Sequence, residues 1–222
     1  MDTADAYFAD ARQRMVDSQL RPNKVTDPRV LAAMRRFPRE RFLPANLAAL
    51  AYADEDVPLG NGRVLMEPMV LARLVQLAAP AEGERALVVG AGVGYGAAVL
   101  SACGCRVTAL EEDQTLLARA RAALAETAPG VALVSGPLAA GWAQGAPYDV
   151  ILIEGALREV PQAIAAQLRN EGGRLVTVLA SGTRVGQAIV AEMTPAGLGM
   201  QPAFDSATPP LPSLQPAPVF EF

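Results

Sequence analysis

The sequence contains no histidine and only two cysteines among its 222 residues. Without imidazole the chain cannot build a Ser-His-Asp triad, a Cys-His pair or the common histidine-containing zinc sites. Cys103 and Cys105 are separated by one residue, which fits neither a C-x-x-C redox motif nor a metal-ligand spacing. We therefore expect reduced packing cysteines, no metal, and chemistry that works without a histidine base.

Concentrated positive charge and long apolar runs are also missing. The formal net charge is −4 and the pI is about 5.0, with no Lys/Arg patch, which disfavours a nucleic-acid partner. No apolar run reaches the roughly 18 residues of a membrane span, and the N-terminal residues lack the regions of a signal peptide. We therefore expect a cytoplasmic protein with no membrane partner.

Residues 85–103 carry the most informative pattern in the chain. The apolar run Ala86–Val89 leads into a glycine-rich turn, and an alanine-rich helical segment follows, so we predict strand, tight turn and helix. The turn consists of Gly90, Ala91, Gly92, Val93 and Gly94. Glycine permits positive φ and the close approach of a ligand, although a turn that only joins a buried strand to a helix also favours glycine.

The spacing of these glycines indicates the ligand. A dinucleotide fingerprint reads G-x-G-x-x-G, whereas here the third glycine, Gly94, comes one position early and Tyr95 stands where that fingerprint has its last glycine. This spacing argues against NAD. The pattern G-x-G-x-G after a strand is typical of methyltransferases that use S-adenosyl-L-methionine (SAM), which is the predicted cofactor.

Acidic residues follow the next predicted strand, Arg106–Leu110. Nucleotide-binding folds place the acid that binds the ribose hydroxyls about 20 residues past the first glycine, which corresponds here to Glu111. A carboxylate can accept from two hydroxyls, so we predict Glu111 as the ribose ligand and Glu112 as a weaker candidate. Alternatively the acids cap the following helix. Both interpretations are compatible if Glu111 binds the ligand and Asp113 caps the helix.

The remaining pattern predicts an α/β fold. Helices are predicted at residues 1–20, Arg29–Phe37 with Asp27 as N-cap, from Pro44, and at Gln114–Ala125. Further strands are predicted at Val131–Ser135, Asp149–Ile153 and Gly173–Leu179, followed by an antiparallel edge strand at Ala188–Met193. The tail from Pro202 is expected to wrap the domain and to end in a short strand at Pro218–Phe220. Strands alternating with helices imply a parallel sheet with right-handed crossovers.

Several segments resemble the protein-L-isoaspartate O-methyltransferase family in order and spacing. They are Met15–Leu20, Asp27–Met34, Pro38–Pro44, Pro58–Gly62, the glycine turn with Tyr95, Ala146–Asp149 and Gly172–Leu175, spanning roughly residues 10–180. The resemblance implies a doubly wound, Rossmann-like SAM-methyltransferase sheet, with strands in the order 3-2-1-4-5 parallel and antiparallel C-terminal strands. It also implies an N-terminal helical extension, residues 1–80, that covers the cleft of a methyltransferase domain, residues 81–222.

The resemblance implies protein repair by methyl transfer from SAM to the carboxylate of isoaspartyl residues in damaged proteins. That reaction suits a chain without histidine, because the substrate carboxylate is already ionised at neutral pH and needs no general base. Isoaspartyl peptides or proteins are then the expected partners, and a monomer is favoured.

The chain departs from the family pattern at three positions. Met66 stands at the family's serine position, Val88 replaces an acid in the strand before the turn, and Pro137 replaces the aspartate of a Gly-Asp-Gly motif. The resemblance therefore assigns no certain catalytic residue to this chain, because Met66 stands at the family's serine position. It implies cofactor contacts at Val88, Gly90, Ala91, Gly92, Gly94, Glu111, Glu112 and Leu138.

These departures leave alternatives open. In one interpretation, Glu154 or Glu67 supplies an acid to the cofactor from another side; in the other, the affinity for SAM is lost. Each acid also has a structural interpretation, Glu154 as a solvated loop acid and Glu67 as a helix N-cap. At the level of function, the alternatives are a non-catalytic relative that keeps the fold, or a SAM methyltransferase for another carboxylate substrate.

Overall fold

The computed structural model describes residues 3–180 and 185–215, within which the chain forms six α-helices and nine strands. The helices are α1 (Thr3–Met15), α2 (Pro28–Arg36), α3 (Pro68–Ala78), α4 (Tyr95–Ala102), α5 (Gln114–Thr127) and α6 (Gln162–Ala165). The strands are β1 (Val57–Gly60), β2 (Arg63–Leu65), β3 (Arg85–Val89), β4 (Arg106–Glu111), β5 (Ala132–Ser135), β6 (Val150–Leu157), β7 (Arg174–Leu179), β8 (Gly186–Thr194) and β9 (Gly197–Ser206).

Seven of these strands form one sheet in the order β5-β4-β3-β6-β7-β8-β9. Strands β3 to β7 are mutually parallel, and β8 and β9 are antiparallel to their neighbours. Counted from the glycine strand β3, the parallel part runs 3-2-1-4-5, which confirms the predicted fold class. The chain order reverses at β3, between β4 and β6, and ligands of doubly wound sheets bind beside such a point at the carboxyl ends of the strands.

The antiparallel end of the sheet corrects one prediction. The segment Ala188–Met193 is antiparallel as expected, but it is not an edge, because β9 pairs along its outer side. Pro202 lies within β9, where we expected a wrapping tail; proline is tolerated there since an outermost strand has amides that need no ladder partner. The predicted strand at Pro218–Phe220 lies outside the described residues.

The N-terminal region contains the expected helices and one element that was not predicted. Helix α1 ends at Met15 and continues as a π-helical turn, Val16–Leu20, while Ala45–Leu50 is a 3₁₀ helix. Asp27 caps α2, as predicted, by accepting from the amide of Arg29 at 2.8 Å. The unpredicted element is the hairpin β1–β2, in which Val57 pairs with Leu65.

The alternation of side chains along β3 divides the core between the two faces of the sheet. Ala86 and Val88 belong to one apolar cluster, whereas Leu87 and Val89 belong to the other. The first cluster also contains side chains of the N-terminal region, among them Met34. The division into parts at residues 1–80 and 81–222 remains a prediction. In the part of the chain that the structure describes, no helix combines the length and the apolar character needed to cross a bilayer.

Candidate functional site

The predicted glycine turn lies at the carboxyl end of β3. Gly90 and Gly92 have φ values of 71° and 56°, in the left-handed region that favours glycine. The amides of Gly90 and Ala91 both donate to the carbonyl of Leu110 at 3.0 Å, which ties the turn to the end of β4. The turn is therefore held beside the acids that follow β4.

Gly94 has a packing role as well as a conformational one. Its φ is 90°, and a Cβ at this position would lie 2.9 Å from the side chain of Leu124 on α5. The third glycine thus lets α4 begin directly against α5. At Gly94 the alternative interpretation of the turn, as a close junction between strand and helix, is sufficient to explain why the residue is glycine.

Glu111 ends β4 beside the turn and is fully buried. Its Oε1 accepts from Nη1 of Arg63 at 2.8 Å and from the amides of Glu112 and Asp113 at 2.9 and 3.0 Å. Its Oε2 accepts from Nη2 of Arg63 at 2.9 Å and from the amide of Gly92 at 2.7 Å. Both oxygens of the predicted ribose ligand are therefore occupied by donors of the protein itself, two of them from one arginine.

Arg63, which the sequence analysis missed, comes from the hairpin strand β2 and is 7% exposed. Besides its bidentate pair with Glu111, its Nη2 donates to the carbonyl of Gly90 at 2.9 Å. A Cβ at Gly90 would lie 3.3 Å from this Nη2 and 3.2 Å from Cδ2 of Leu211. The close approach that glycine permits at this turn is used by side chains of the chain itself.

Leu211 belongs to a segment that crosses the carboxyl edge of β6. The amide of Leu211 donates to the carbonyl of Ala156 at 3.0 Å, and the amide of Ala156 donates to the carbonyl of Pro209 at 2.9 Å. Gly155 provides the space for this crossing, because a Cβ there would lie 2.4 Å from Cγ of Leu211. This C-terminal segment, residues 209–211, therefore lies against the turn together with Arg63 of the hairpin.

The other two acids after β4 have separate partners. Asp113 caps α5, as predicted, by accepting from the amides of Thr115 and Leu116 at 2.8 and 3.1 Å. Hydrogen bonds from the Leu116 amide and from Asn61 lower the pKa of Asp113. Glu112 accepts from the amide of Leu138 at 3.2 Å. Glu112 is thus hydrogen-bonded to the backbone of Leu138, which is fully buried.

The three departures from the family pattern occupy different surroundings. Val88 and Met66 are fully buried in the first apolar cluster. Pro137 is exposed and precedes the 3₁₀ turn Leu138–Ala140. An acid at Val88 would be desolvated, whereas an acid at Pro137 would remain hydrated.

Glu154 lies within β6 and is 6% exposed, so the interpretation as a solvated loop acid is wrong. Among the described residues its Oε1 has no hydrogen-bond partner. Burial raises the pKa of Glu154 to about 8, against the opposing effect of Arg63 and Arg39. A Cβ at Gly96 of α4 would lie 2.1 Å from this oxygen. Glu154 is therefore a buried, protonated acid at neutral pH, accommodated by a glycine on the facing helix.

Arg39 and Glu67 lie around Met66. Arg39 is fully buried, donates through Nε to the carbonyl of Ala51 at 2.7 Å and through Nη2 to the carbonyl of Met66, and its guanidinium lies 4.9 Å from the ring centre of Tyr95. Glu67 precedes α3 but makes no capping hydrogen bond, so its interpretation as an N-cap is wrong in that respect. Burial, with nearby aspartates, raises the pKa of Glu67 to about 7.

Among the described residues, the cysteines form no disulfide and belong to no metal-binding group. Cys103 and Cys105 are free and buried, as predicted, and burial raises the pKa of Cys103 to about 11. Over residues 3–180 and 185–215, no three Cys, Asp or Glu side chains are grouped to hold a metal ion. Both thiols are therefore protonated packing residues.

Comparison of the sequence with known proteins gives a consistent result. The family profile described as Protein-L-isoaspartate(D-aspartate) O-methyltransferase (PCMT) matches residues 10–193. A protein-L-isoaspartate O-methyltransferase of Methylorubrum populi is 45% identical over 166 residues, which are 75% of this chain and 78% of the relative. One from Gloeobacter violaceus is 36% identical over 198 residues, which are 89% of this chain and 96% of the relative.

Solved structures agree on the fold. One protein-L-isoaspartate O-methyltransferase superposes with a TM-score of 0.78 at 23% identity, over 92% of this chain and 67% of the other. A Plasmodium falciparum structure of the same family name, in complex with S-adenosyl-L-homocysteine, superposes with a TM-score of 0.76 at 16% identity, over 91% of this chain and 98% of the other. At these identities the similarity shows the architecture alone.

Proposed function

Because this chain belongs to the protein-L-isoaspartate(D-aspartate) O-methyltransferase family, we propose that it transfers a methyl group from SAM to the carboxylate of isoaspartyl residues in proteins. The observation that carries this proposal is the position of Glu111. It ends the strand next to β3, is fully buried, and accepts from the amide of Gly92 in the glycine turn at 2.7 Å. A carboxylate and a glycine turn are thus joined at the point of the sheet where ligands of this architecture bind.

The residues around the glycine turn fit the methionine and ribose parts of SAM, and they differ from the family pattern on the adenine side. The turn at Gly90 and Gly92 would hold the methionine part, and Glu111 would accept from the ribose hydroxyls once Arg63 leaves it. On the adenine side Pro137 offers neither an acceptor side chain nor an amide, so recognition falls to Glu112 and Leu138. Weak cofactor binding is the expected consequence.

The proposed reaction makes few chemical demands on the protein. SAM supplies an electrophilic methyl group, and the substrate carboxylate is ionised without help from a base. The contribution of the chain is therefore to orient the two reactants and to exclude water, which is worth about 7–11 kcal/mol in favourable cases. Arg39 serves this purpose by fixing the backbone of Met66 at the family's serine position.

A second candidate function is a non-catalytic relative that keeps the fold. It is favoured by one specific observation, the bidentate pair through which Arg63 occupies both oxygens of Glu111. Met66, Val88 and Pro137 agree with it. A SAM methyltransferase for a different carboxylate is the remaining alternative, because Met66 changes the substrate side of the cleft.

The setting of the reaction belongs to the same proposal. We place it in the cytoplasm, on a monomer, with isoaspartyl peptides or proteins as partners and without nucleic acid. The negative net charge of −4 supports the last point.

Incorporation of labelled methyl from SAM into an isoaspartyl peptide, with its aspartyl twin as control, tests the proposal. We expect slow incorporation into the isoaspartyl peptide alone, at a high KM for SAM. Pro137→Asp should lower that KM more than Met66→Ser does, because it adds an acceptor for the adenine amine at an exposed position.

Two results would contradict the proposal in different ways. If SAM binds and neither peptide gains methyl, the enzyme acts on another carboxylate. If neither SAM nor its demethylated product binds at millimolar concentration, the non-catalytic alternative is correct.

A further inference from the structure

The hairpin β1–β2 is attached to the end of β4 at two points. Arg63 forms its bidentate pair with Glu111 at 2.8 and 2.9 Å, and Nδ2 of Asn61 donates to Oδ2 of Asp113 at 3.1 Å. The first attachment is buried and the second is exposed. The hairpin therefore contacts Glu111, the predicted ribose ligand, and Asp113, the N-cap of α5.

Side chains of the hairpin also lie against the glycine turn itself. Nη2 of Arg63 donates to the carbonyl of Gly90 at 2.9 Å, and a Cβ at Gly92 would lie 3.8 Å from Cδ1 of Leu59. Leu211 contacts the same turn from the C-terminal segment. The surface on which the proposed cofactor would lie is thus covered by three side chains of the protein.

Arg63 and a ribose cannot use Glu111 at the same time. Each oxygen of Glu111 accepts one N–H of Arg63, and the remaining bonds come from the backbone amides of Glu112, Asp113 and Gly92. Those amides are fixed by the turn and by the start of α5, so the arginine is the donor that can be exchanged. A ligand that needs the open form binds with an apparent dissociation constant raised by the reciprocal of the open fraction.

We propose that the hairpin β1–β2 is a built-in latch, in which Arg63 competes with the cofactor ribose for Glu111 and holds the cleft closed until ligand displaces it. The proposal rests on the proposed function, since it takes the ligand to be SAM or its demethylated product. It predicts that a family member can keep the turn and the acid intact and still bind cofactor weakly.

Calorimetric titration with S-adenosyl-L-homocysteine tests the latch without any turnover. Arg63→Ala removes the competing guanidinium and leaves Glu111 its three amide donors, so we expect the dissociation constant to fall about tenfold or more. Asn61→Gly removes only the exposed attachment and keeps the positive φ of 51° at this position, and it should lower the constant about twofold. This second variant keeps the test decisive if Arg63→Ala fails to fold.

Arg174→Ala is the matched control. Arg174 also forms a bidentate pair, with Glu84 at 2.9 and 2.8 Å, but it begins β7 at the amino edge of the sheet. A purely structural role predicts that both arginine variants lose stability and neither gains affinity, whereas the latch predicts a gain for Arg63→Ala alone.

The outcomes separate the two proposals. If the wild type binds S-adenosyl-L-homocysteine and Arg63→Ala binds it equally or more weakly, the latch is overturned and the proposed function stands. If Arg63→Ala binds and the wild type does not, the latch is supported. If neither the wild type nor any variant binds at millimolar concentration, both the latch and the cofactor proposal are overturned.

Discussion

At the scale of single residues, Glu154 is a buried acid that faces a glycine of a neighbouring helix. It is buried in β6, and its Oε1, which has no hydrogen-bond partner in the part of the chain that the structure describes, faces the space that Gly96 leaves open on α4. Gly96 is the second residue of α4, and a Cβ there would lie 2.1 Å from Oε1 of Glu154, so a larger residue requires the carboxyl group to move.

The raised pKa of Glu154 predicts a pH-dependent stability. The folded protein holds a proton up to about pH 8, whereas the unfolded chain releases it near the ordinary value of 4.5. Between these values the folded state binds more protons, so the free energy of unfolding falls as pH rises and levels off above the folded pKa. Glu154→Gln has no such group, and its stability relative to the wild type should rise across this window by a few kcal/mol.

Urea unfolding of both proteins at several pH values between 5 and 8 measures this difference. Glu67, whose raised pKa acts in the same direction, is present in both proteins and cancels in the comparison. A difference that stays constant with pH would show that Glu154 is ionised in the folded protein.

Residue roles were predictable from sequence where they follow from the chain's own order. Asp113 was predicted correctly as a helix cap, and Glu111 lies at the end of its strand as expected, while its role as ribose ligand stays a prediction. Arg63 was missed because it lies 48 residues from Glu111 and reaches it only through an unpredicted hairpin. The interpretation of Glu154 as a solvated loop acid was wrong because β6 continues to Leu157, past the predicted end of the strand at Ile153. Tertiary packing decides which charged side chains meet in a core, and a local sequence pattern carries no information about that packing.

At the scale of elements, the beginnings of α2 and α5 follow the capping rule for aspartate, whereas α3, α4 and α6 begin without a side-chain cap. Asp27 caps α2 and Asp113 caps α5, each by accepting from backbone amides that have no partner inside the helix. Both caps were predicted from an aspartate before an apolar periodic segment. The caps fix the beginnings of two helices that pack on the first apolar cluster.

Replacement of Asp27 tests the contribution of one cap. Asp27→Ala removes the acceptor for the amide of Arg29 at 2.8 Å, and we expect a loss of about 1 kcal/mol in the free energy of unfolding by urea. Asp10→Ala is the control, because the Asp10–Arg14 pair at 2.9 Å is exposed on both sides and should change stability by less than about 0.5 kcal/mol. Equal effects of the two changes would mean that the cap does not stabilise α2.

The hairpin β1–β2 shows what the element-level prediction overlooked. Its turn is Asn61-Gly62, with φ values of 51° and 71°, and Asn-Gly between apolar residues is a strong hairpin signal. The short strands around it, each of three or four residues, gave no clear alternation. At the other end of the chain, the tail from Pro202 was expected to wrap the domain, whereas residues up to Ser206 belong to β9, where proline is compatible with an edge.

At the scale of the whole molecule, the sheet order brings the glycine turn, Glu111 and Glu154 to one edge. The turn follows β3, Glu111 ends β4, and Glu154 comes directly after Ile153, the β6 residue that pairs with the last residue of β3. These three strands are neighbours in the sheet although β4 and β6 are separated by β5 in the chain. The alternation of strands and helices predicted a parallel sheet with right-handed crossovers, whereas the order of its strands was predicted from the resemblance to the family. The closure of this edge by Arg63 and Leu211 was not predictable, since each comes from a segment distant in sequence.

The central claim is that this edge of the sheet is a cofactor site, and titration with S-adenosyl-L-homocysteine followed by backbone amide NMR tests it directly. We predict that the amide signals of Gly90, Gly92, Gly94 and Glu111 shift and saturate together, with the hairpin amide of Arg63 moving at the same ligand concentrations. If these signals do not move at millimolar ligand in either the wild type or Arg63→Ala, or if the shifts are confined to another surface such as β9, the claim is contradicted.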